Sequence, residues 1–192
     1  DLMALLDVKP IAVSRTVKTT SFPEYYEDAE IIDSGMNTLD IESVLALEPD
    51  LVILGLYRYE DFHHIFEERD IPVYYTGEGP LMHYEESKME SLNLAEGFGG
   101  DEAREDLENY FTSLEAEMKD FQEKYDDLSG AILFGMESEF ISGSESYVGS
   151  LLAELGFENV ADESDAPTSL APTSVEIVTQ LNPQIILLTA PP

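Results

Sequence analysis

The sequence predicts an α/β protein built as two Rossmann-like lobes joined by one long helix. Three observations predict it. Strand-length apolar runs alternate with amphipathic helical stretches along the whole chain. A seven-position apolar stripe at helical spacing fills the middle, from Ala103 to Tyr125. One phrase also occurs in both halves: Leu47-Glu48-Pro49-Asp50-Leu51-Val52-Ile53-Leu54 and Leu181-Asn182-Pro183-Gln184-Ile185-Ile186-Leu187-Leu188. Each is a helix end, a proline and a buried strand. Two lobes of like construction suit a ligand held in a cleft between them.

In the first lobe, strands are expected at Ile11–Ser14, Glu30–Asp33, Leu51–Leu54 and Val73–Thr76. A helix over Asp40 to Leu47 gathers Ile41, Val44, Leu45 and Leu47 mostly on one face, and Pro49 stops it. A second, Glu60 to Arg69, buries Phe62, Ile65 and Phe66. A third, Ser87 to Phe98, closes at Gly99-Gly100. The long helix then runs from about Asp101 to Tyr125 through Ala103, Leu107, Tyr110, Leu114, Met118, Phe121 and Tyr125. At 1.5 Å per residue it is roughly 37 Å long, more than a simple connector needs. The second lobe opens with strands at Ala131–Phe134 and Phe140–Ser142. A helix over Ser146–Leu155 ends at Gly156. A last helix, Ser174–Leu181, meets Asn182-Pro183 and leads into a strand at Ile185–Thr189. The lobe boundaries are 1–100, 101–127 for the connecting helix, and 128–192.

Composition narrows the function. The chain has 192 residues, 9 basic against 41 acidic, and a net charge of −32. Such a surface repels nucleic acid and anionic lipid. The acids are spread along the chain, as in a solvated surface adapted to salty or alkaline surroundings; steering of a cationic partner is the functional alternative. Cysteine is absent, so no disulfide framework or thiolate metal site exists. No apolar run is long enough to span a membrane.

Four passages resemble the helical-backbone class of periplasmic binding proteins, the ABC-importer receptors for ferric siderophores, haem and cobalamin. The first is Gly35-Met36-Asn37-Thr38-Leu39-Asp40-Ile41-Glu42 running into Ala46-Leu47-Glu48-Pro49-Asp50-Leu51-Val52-Ile53. The second is the long mid-chain helix. The third is Phe140-Ile141-Ser142-Gly143-Ser144-Glu145-Ser146-Tyr147-Val148-Gly149, continuing to Gly156-Phe157-Glu158-Asn159-Val160. The fourth is Ser174-Val175-Glu176 through Asn182-Pro183-Gln184-Ile185-Ile186-Leu187. Their order and spacing match over nearly the whole chain. The closest look is to haem and iron-complex receptors of Gram-positive bacteria. The resemblance implies an extracytoplasmic receptor, periplasmic or a cell-surface lipoprotein, that is monomeric and meets the membrane only through a lipid anchor outside this chain. It implies no catalysis and no resident cofactor, and the long connecting helix predicts a small hinge motion. It also implies that the family's opening strand and C-terminal portion lie outside this sequence.

Ligands of open α/β sheets bind beyond the carboxyl ends of strands. Those loops here are Arg15 to Thr20, Gly35-Met36-Asn37, Tyr57-Arg58-Tyr59 and Gly77 to His83, faced by the turn Gly143 to Tyr147. Tyr57 and Tyr59 offer flat aromatic area to a macrocycle or catechol, and Arg58 offers a guanidinium to ligand oxygens. Met36, His83 and Tyr147 complete the expected ligand set. The resemblance makes Met36 a candidate haem ligand, although the family's histidine partner would fall near Ala190-Pro191. His63 with Glu67, or His64 with Glu68, has helical metal-binding spacing. By motif, Glu42 and Glu176 are the carboxylates that dock on the two permease subunits. The ligand class is a ferric siderophore or haem, with cobalamin the alternative. A reading from another class is an α/β enzyme using His83, Glu78 and Arg58 around an anion. An adhesion domain is the third reading, and it predicts no cleft.

Overall fold

In a computed structural model, residues 2–15, 21–33, 38–77, 83–125, 129–135, 139–163 and 170–188 are described. The chain divides into two compact units. One comprises Asp1–Thr76 with Asn93–Glu105, the other Gly77–Leu92 with Asp106–Pro192.

The first unit begins with a short helix α1 (Leu2–Leu5), then β1 (Ala12–Ser14) and β2 (Glu30–Ile32), which pair in parallel. Helix α2 (Ile41–Ala46) starts because the Asp40 side chain accepts the Ser43 N–H at 3.1 Å. The left-handed Glu48 and then Pro49 follow it. Strand β3 (Val52–Gly55) passes through a 3-10 turn, Leu56–Arg58, into α3 (Tyr59–Glu67). Strand β4 (Val73–Thr76) returns parallel to β3, in register from Val52↔Val73 to Gly55↔Thr76. Ile32, Leu54 and Phe66 are buried here, Phe66 completely. These are the apolar positions that a strand period of two and a helix period of 3.6 turn inward.

Helix α4 (Tyr84–Lys124) is two helical arms and not one rod. Gly100 breaks it with φ 69° and ψ −162°. That backbone is open only to glycine. Contacts place the arms antiparallel. Arg104 reaches Asn93 and Glu96, Lys88 pairs with Glu115, and Tyr84 meets Phe111 and Glu115. Each pair sums to about 200, twice the number of the break. The Gly99-Gly100 stop and the long uninterrupted stretch after it agree with the sequence reading.

The second unit holds a five-stranded mixed sheet: β5 (Ser129–Gly135), β6 (Glu139–Ser142), β7 (Glu158–Asn159), β8 (Leu170–Pro172) and β9 (Ile185–Leu188). β5 is its spine. One edge carries β9 in parallel over Gly130–Leu133; the other carries β7 in parallel at its start and β6 antiparallel at its end. β8 lies antiparallel on β6. Helix α5 (Tyr147–Glu154) is capped by Ser146, whose Oγ accepts the Gly149 N–H at 3.0 Å. Helix α6 (Val175–Leu181) is capped by Ser174 and ended by a left-handed Asn182. Ile141, Val160, Ala161 and Ala171 form one core cluster; Leu152 and Phe157 form another with Val148, Leu155 and Ile185. Buried Asn159 ties β6 to the chain beyond β7, donating to the Ser142 carbonyl at 2.9 Å and accepting the Ala161 N–H at 3.0 Å.

Candidate functional site

The carboxyl ends of β3 and β4 bring an aromatic group together. Tyr57 is the most exposed of it, at 58%. Arg58, one residue on, is only 6% exposed. Its Nε donates to the Tyr57 phenol at 3.1 Å, and Nη1 donates to the Thr38 carbonyl at 3.2 Å. The guanidinium carbon lies 5.2 Å from the Tyr57 ring centre. A 3-10 turn achieves this: its tight pitch swings Arg58 inward under Tyr57, toward the residue that follows the Gly35-Met36-Asn37 triplet.

Tyr59 opens α3 and stands over its next turn. Its ring stacks on His63, with centroids 4.3 Å apart, and meets Tyr75 of β4 edge-on at 5.0 Å. His63 Nδ1 lies 3.2 Å from the Tyr75 hydroxyl. Burial, with Tyr59 beside it, pushes the Tyr75 phenol above its ordinary value, so it stays protonated at neutral pH. Stacked aromatics of this kind contribute about 0.5–1.5 kcal/mol beyond their buried area. Sequence reasoning missed His63 and Tyr75 as supports of Tyr59. The signal was available in part: His63 is four residues from Tyr59 on a helix, and Gly55↔Thr76 pairing brings Tyr75 alongside.

The other expected residues lie elsewhere. Met36 is outside the described residues, as are Glu78 and most of the Arg15–Thr20 and Gly77–His83 loops. His83 caps α4, exposed, with its N–H donating to Glu86 at 3.0 Å. Tyr147 is the first residue of α5, half-buried, with its carbonyl accepting the Ser150 hydroxyl at 2.7 Å. His63 and Glu67 approach to 3.7 Å, yet no group of three histidine or carboxylate side chains able to hold a metal occurs among the described residues.

Glu42 and Glu176 occupy like positions. Each is exposed, in the first turn of its helix, two residues after the cap. Hydrogen bonds from its own backbone N–H and from the Ser174 hydroxyl hold the Glu176 carboxyl below its ordinary value. It is a fixed negative charge across the physiological range.

A family model described as "Periplasmic binding protein" matches residues 1–191. None of the curated proteins compared with the chain matches it. Among solved structures, an ABC transporter substrate-binding protein from Listeria monocytogenes EGD-e is 24% identical, with TM-score 0.72 over 99% of this chain and 72% of that one. The periplasmic heme-binding protein RhuT from Roseiflexus sp. RS-1 is 19% identical, with TM-score 0.80 over 97% and 71%. The triscatecholate siderophore binding protein FeuA from Bacillus subtilis, complexed with ferri-bacillibactin, is 20% identical, with TM-score 0.76 over 97% and 65%. At these identities the likenesses establish the two-lobe α/β fold. The family is one of transport receptors and not of enzymes, which removes the reading of His83, Glu78 and Arg58 as catalysts.

Proposed function

Because the chain belongs to the periplasmic binding protein family, and so serves an ABC transporter outside the cytoplasm, we propose that it captures an iron complex, a ferric siderophore or haem, and delivers it to a permease. The observation that carries the reading is the aromatic group at the carboxyl ends of β3 and β4. Tyr57 is 58% exposed and Tyr59 38%, yet each is held by its neighbours, Tyr57 by Arg58 and Tyr59 by His63 and Tyr75. Braced aromatic faces lose little side-chain freedom when a ligand lands on them. Met36, His83 and Tyr147 complete the proposed ligand set. Similar solved proteins that take haem and ferric siderophores support the choice of ligand class. Cobalamin, bound by a similar protein of Vibrio cholerae, is the alternative.

Delivery rests on Glu42 and Glu176. Two carboxylates in corresponding first turns, one in each unit, match a partner with two-fold symmetry. The helix N-terminus stabilises each charge by itself, so docking adds a role to a position already favourable for an acid.

The test is the visible absorption of protein purified from cells grown in iron-rich medium. A ferric charge-transfer band supports a siderophore, a Soret band haem, and a corrin spectrum the alternative. A colourless protein that takes up none of these on incubation would end the proposal.

A further inference from the structure

We infer that the chelate taken at Tyr57 and Tyr59 is electroneutral or cationic, and that Arg58 is a positioning residue rather than the ligand's counter-ion. The inference rests on the iron-chelate reading above and narrows it by charge.

The guanidinium is where an anionic chelate would find its partner, and it is already engaged. It is 6% exposed, donates through Nε to the Tyr57 phenol and through Nη1 to the Thr38 carbonyl, and lies against the Tyr57 ring. Turning it toward a ligand would leave two acceptors without their donor and undo the seat of Tyr57. Its neighbours add the opposite charge. Glu60 and Asp61, both exposed, follow in the first turn of α3. From Tyr57 to Asp61 the formal balance is one positive charge, buried, against two negative charges, exposed.

Four other cations among the described residues already sit in ion pairs. Arg15, Arg69, Lys88 and Arg104 are paired with Asp33, Glu68, Glu115 and Glu96. Against 41 acidic residues, the net −32 sets a field that a trianionic chelate must climb and a cationic one descends. At physiological salt the field reaches only about 8 Å, so it acts on encounter and on charges placed at the surface.

The experiment is equilibrium dialysis against three ferric probes that differ in charge. One is a linear trihydroxamate with a free ammonium, which is cationic. The second is a cyclic trihydroxamate, which is neutral. The third is a tris-catecholate, which is trianionic. Each is measured at low and at physiological salt. The inference expects the cationic or neutral probe to bind at least about tenfold tighter than the trianion, one unfavourable charged contact being of this size. Added salt should weaken the cationic probe most. Arg58→Ala should weaken the cationic and neutral probes alike, about tenfold, since it acts through Tyr57. Arg58→Gln, which keeps a donor without the charge, should restore most of the loss. A melting curve on each variant separates misfolding from lost binding. Tightest binding of the trianion, with Arg58→Ala costing that probe alone, would overturn the inference and leave the receptor reading standing. Binding of none of the three would overturn the inference, and the receptor reading falls with it when haem and cobalamin are refused as well.

Discussion

Single residues separate what a position encodes from what its surroundings decide. Glu42 and Glu176 are readable from sequence because a cap and a first-turn acid are local: Asp40 and Ser174 fix both helix starts. For Arg58 the sequence shows only its place after a strand. Its direction depends on a one-turn 3-10 helix and on Thr38, twenty residues back, which no local pattern announces. Tyr59 likewise meets Tyr75 only once β3 and β4 pair. Reversal of both glutamates, Glu42→Lys with Glu176→Lys, is expected to abolish transport into whole cells while chelate affinity changes less than about twofold, because rim charges set association and orientation more than ligand binding. Uptake assays beside dialysis check it; persisting transport would place docking elsewhere on the acidic surface.

At the scale of elements, the strands and capped helices were legible because each carries its period and its stop within a few residues. Short strands were not. Glu158–Asn159 and Leu170–Pro172 are too brief to show alternation, and only their register on β5 and β6 makes them strands. The α4 break was legible in Gly99-Gly100, but the return of one arm along the other was not, because pairs such as Lys88 with Glu115 lie 27 residues apart. Two neighbouring glycines give a sharp contrast. Gly97 lies within a helical arm with open space where a Cβ would go, so Gly97→Ala should stabilise by about 1 kcal/mol. Gly100 has equal space but a glycine-only backbone, so Gly100→Ala should cost about 1–3 kcal/mol through strain alone. Urea unfolding of both variants measures this; equal effects would contradict the hairpin. The clasp also titrates. Burial, reinforced by Glu115, pushes the Tyr84 phenol well above its ordinary value near 10. A raised folded value means that its contribution is intact below pH 10 and falls away as pH rises beyond it. Tyr84→Phe should therefore flatten the alkaline loss of stability, followed by circular dichroism from pH 8 to 12.

The whole molecule carries its charge as its dominant feature. With 9 basic residues against 41 acidic ones, most acids have no cation to pair with, so self-repulsion opposes the compact state. Salt screens it. Raising sodium chloride from about 0.01 to 1 M shortens the screening length from about 30 to 3 Å and is expected to raise the melting temperature by at least about 4 °C, roughly 1–2 kcal/mol for a chain of this size. A flat profile would mean that the acids are compensated. The same surface, the two-lobe fold and the braced tyrosines make one account of a receptor. Reversible capture of one iron complex is measured by titrating the purified protein with ferric chelates and counting bound iron per chain after dialysis. A receptor of this kind saturates at one chelate per chain and releases it chemically unchanged. Retention of no chelate, or conversion of the chelate to a product, would contradict reversible capture.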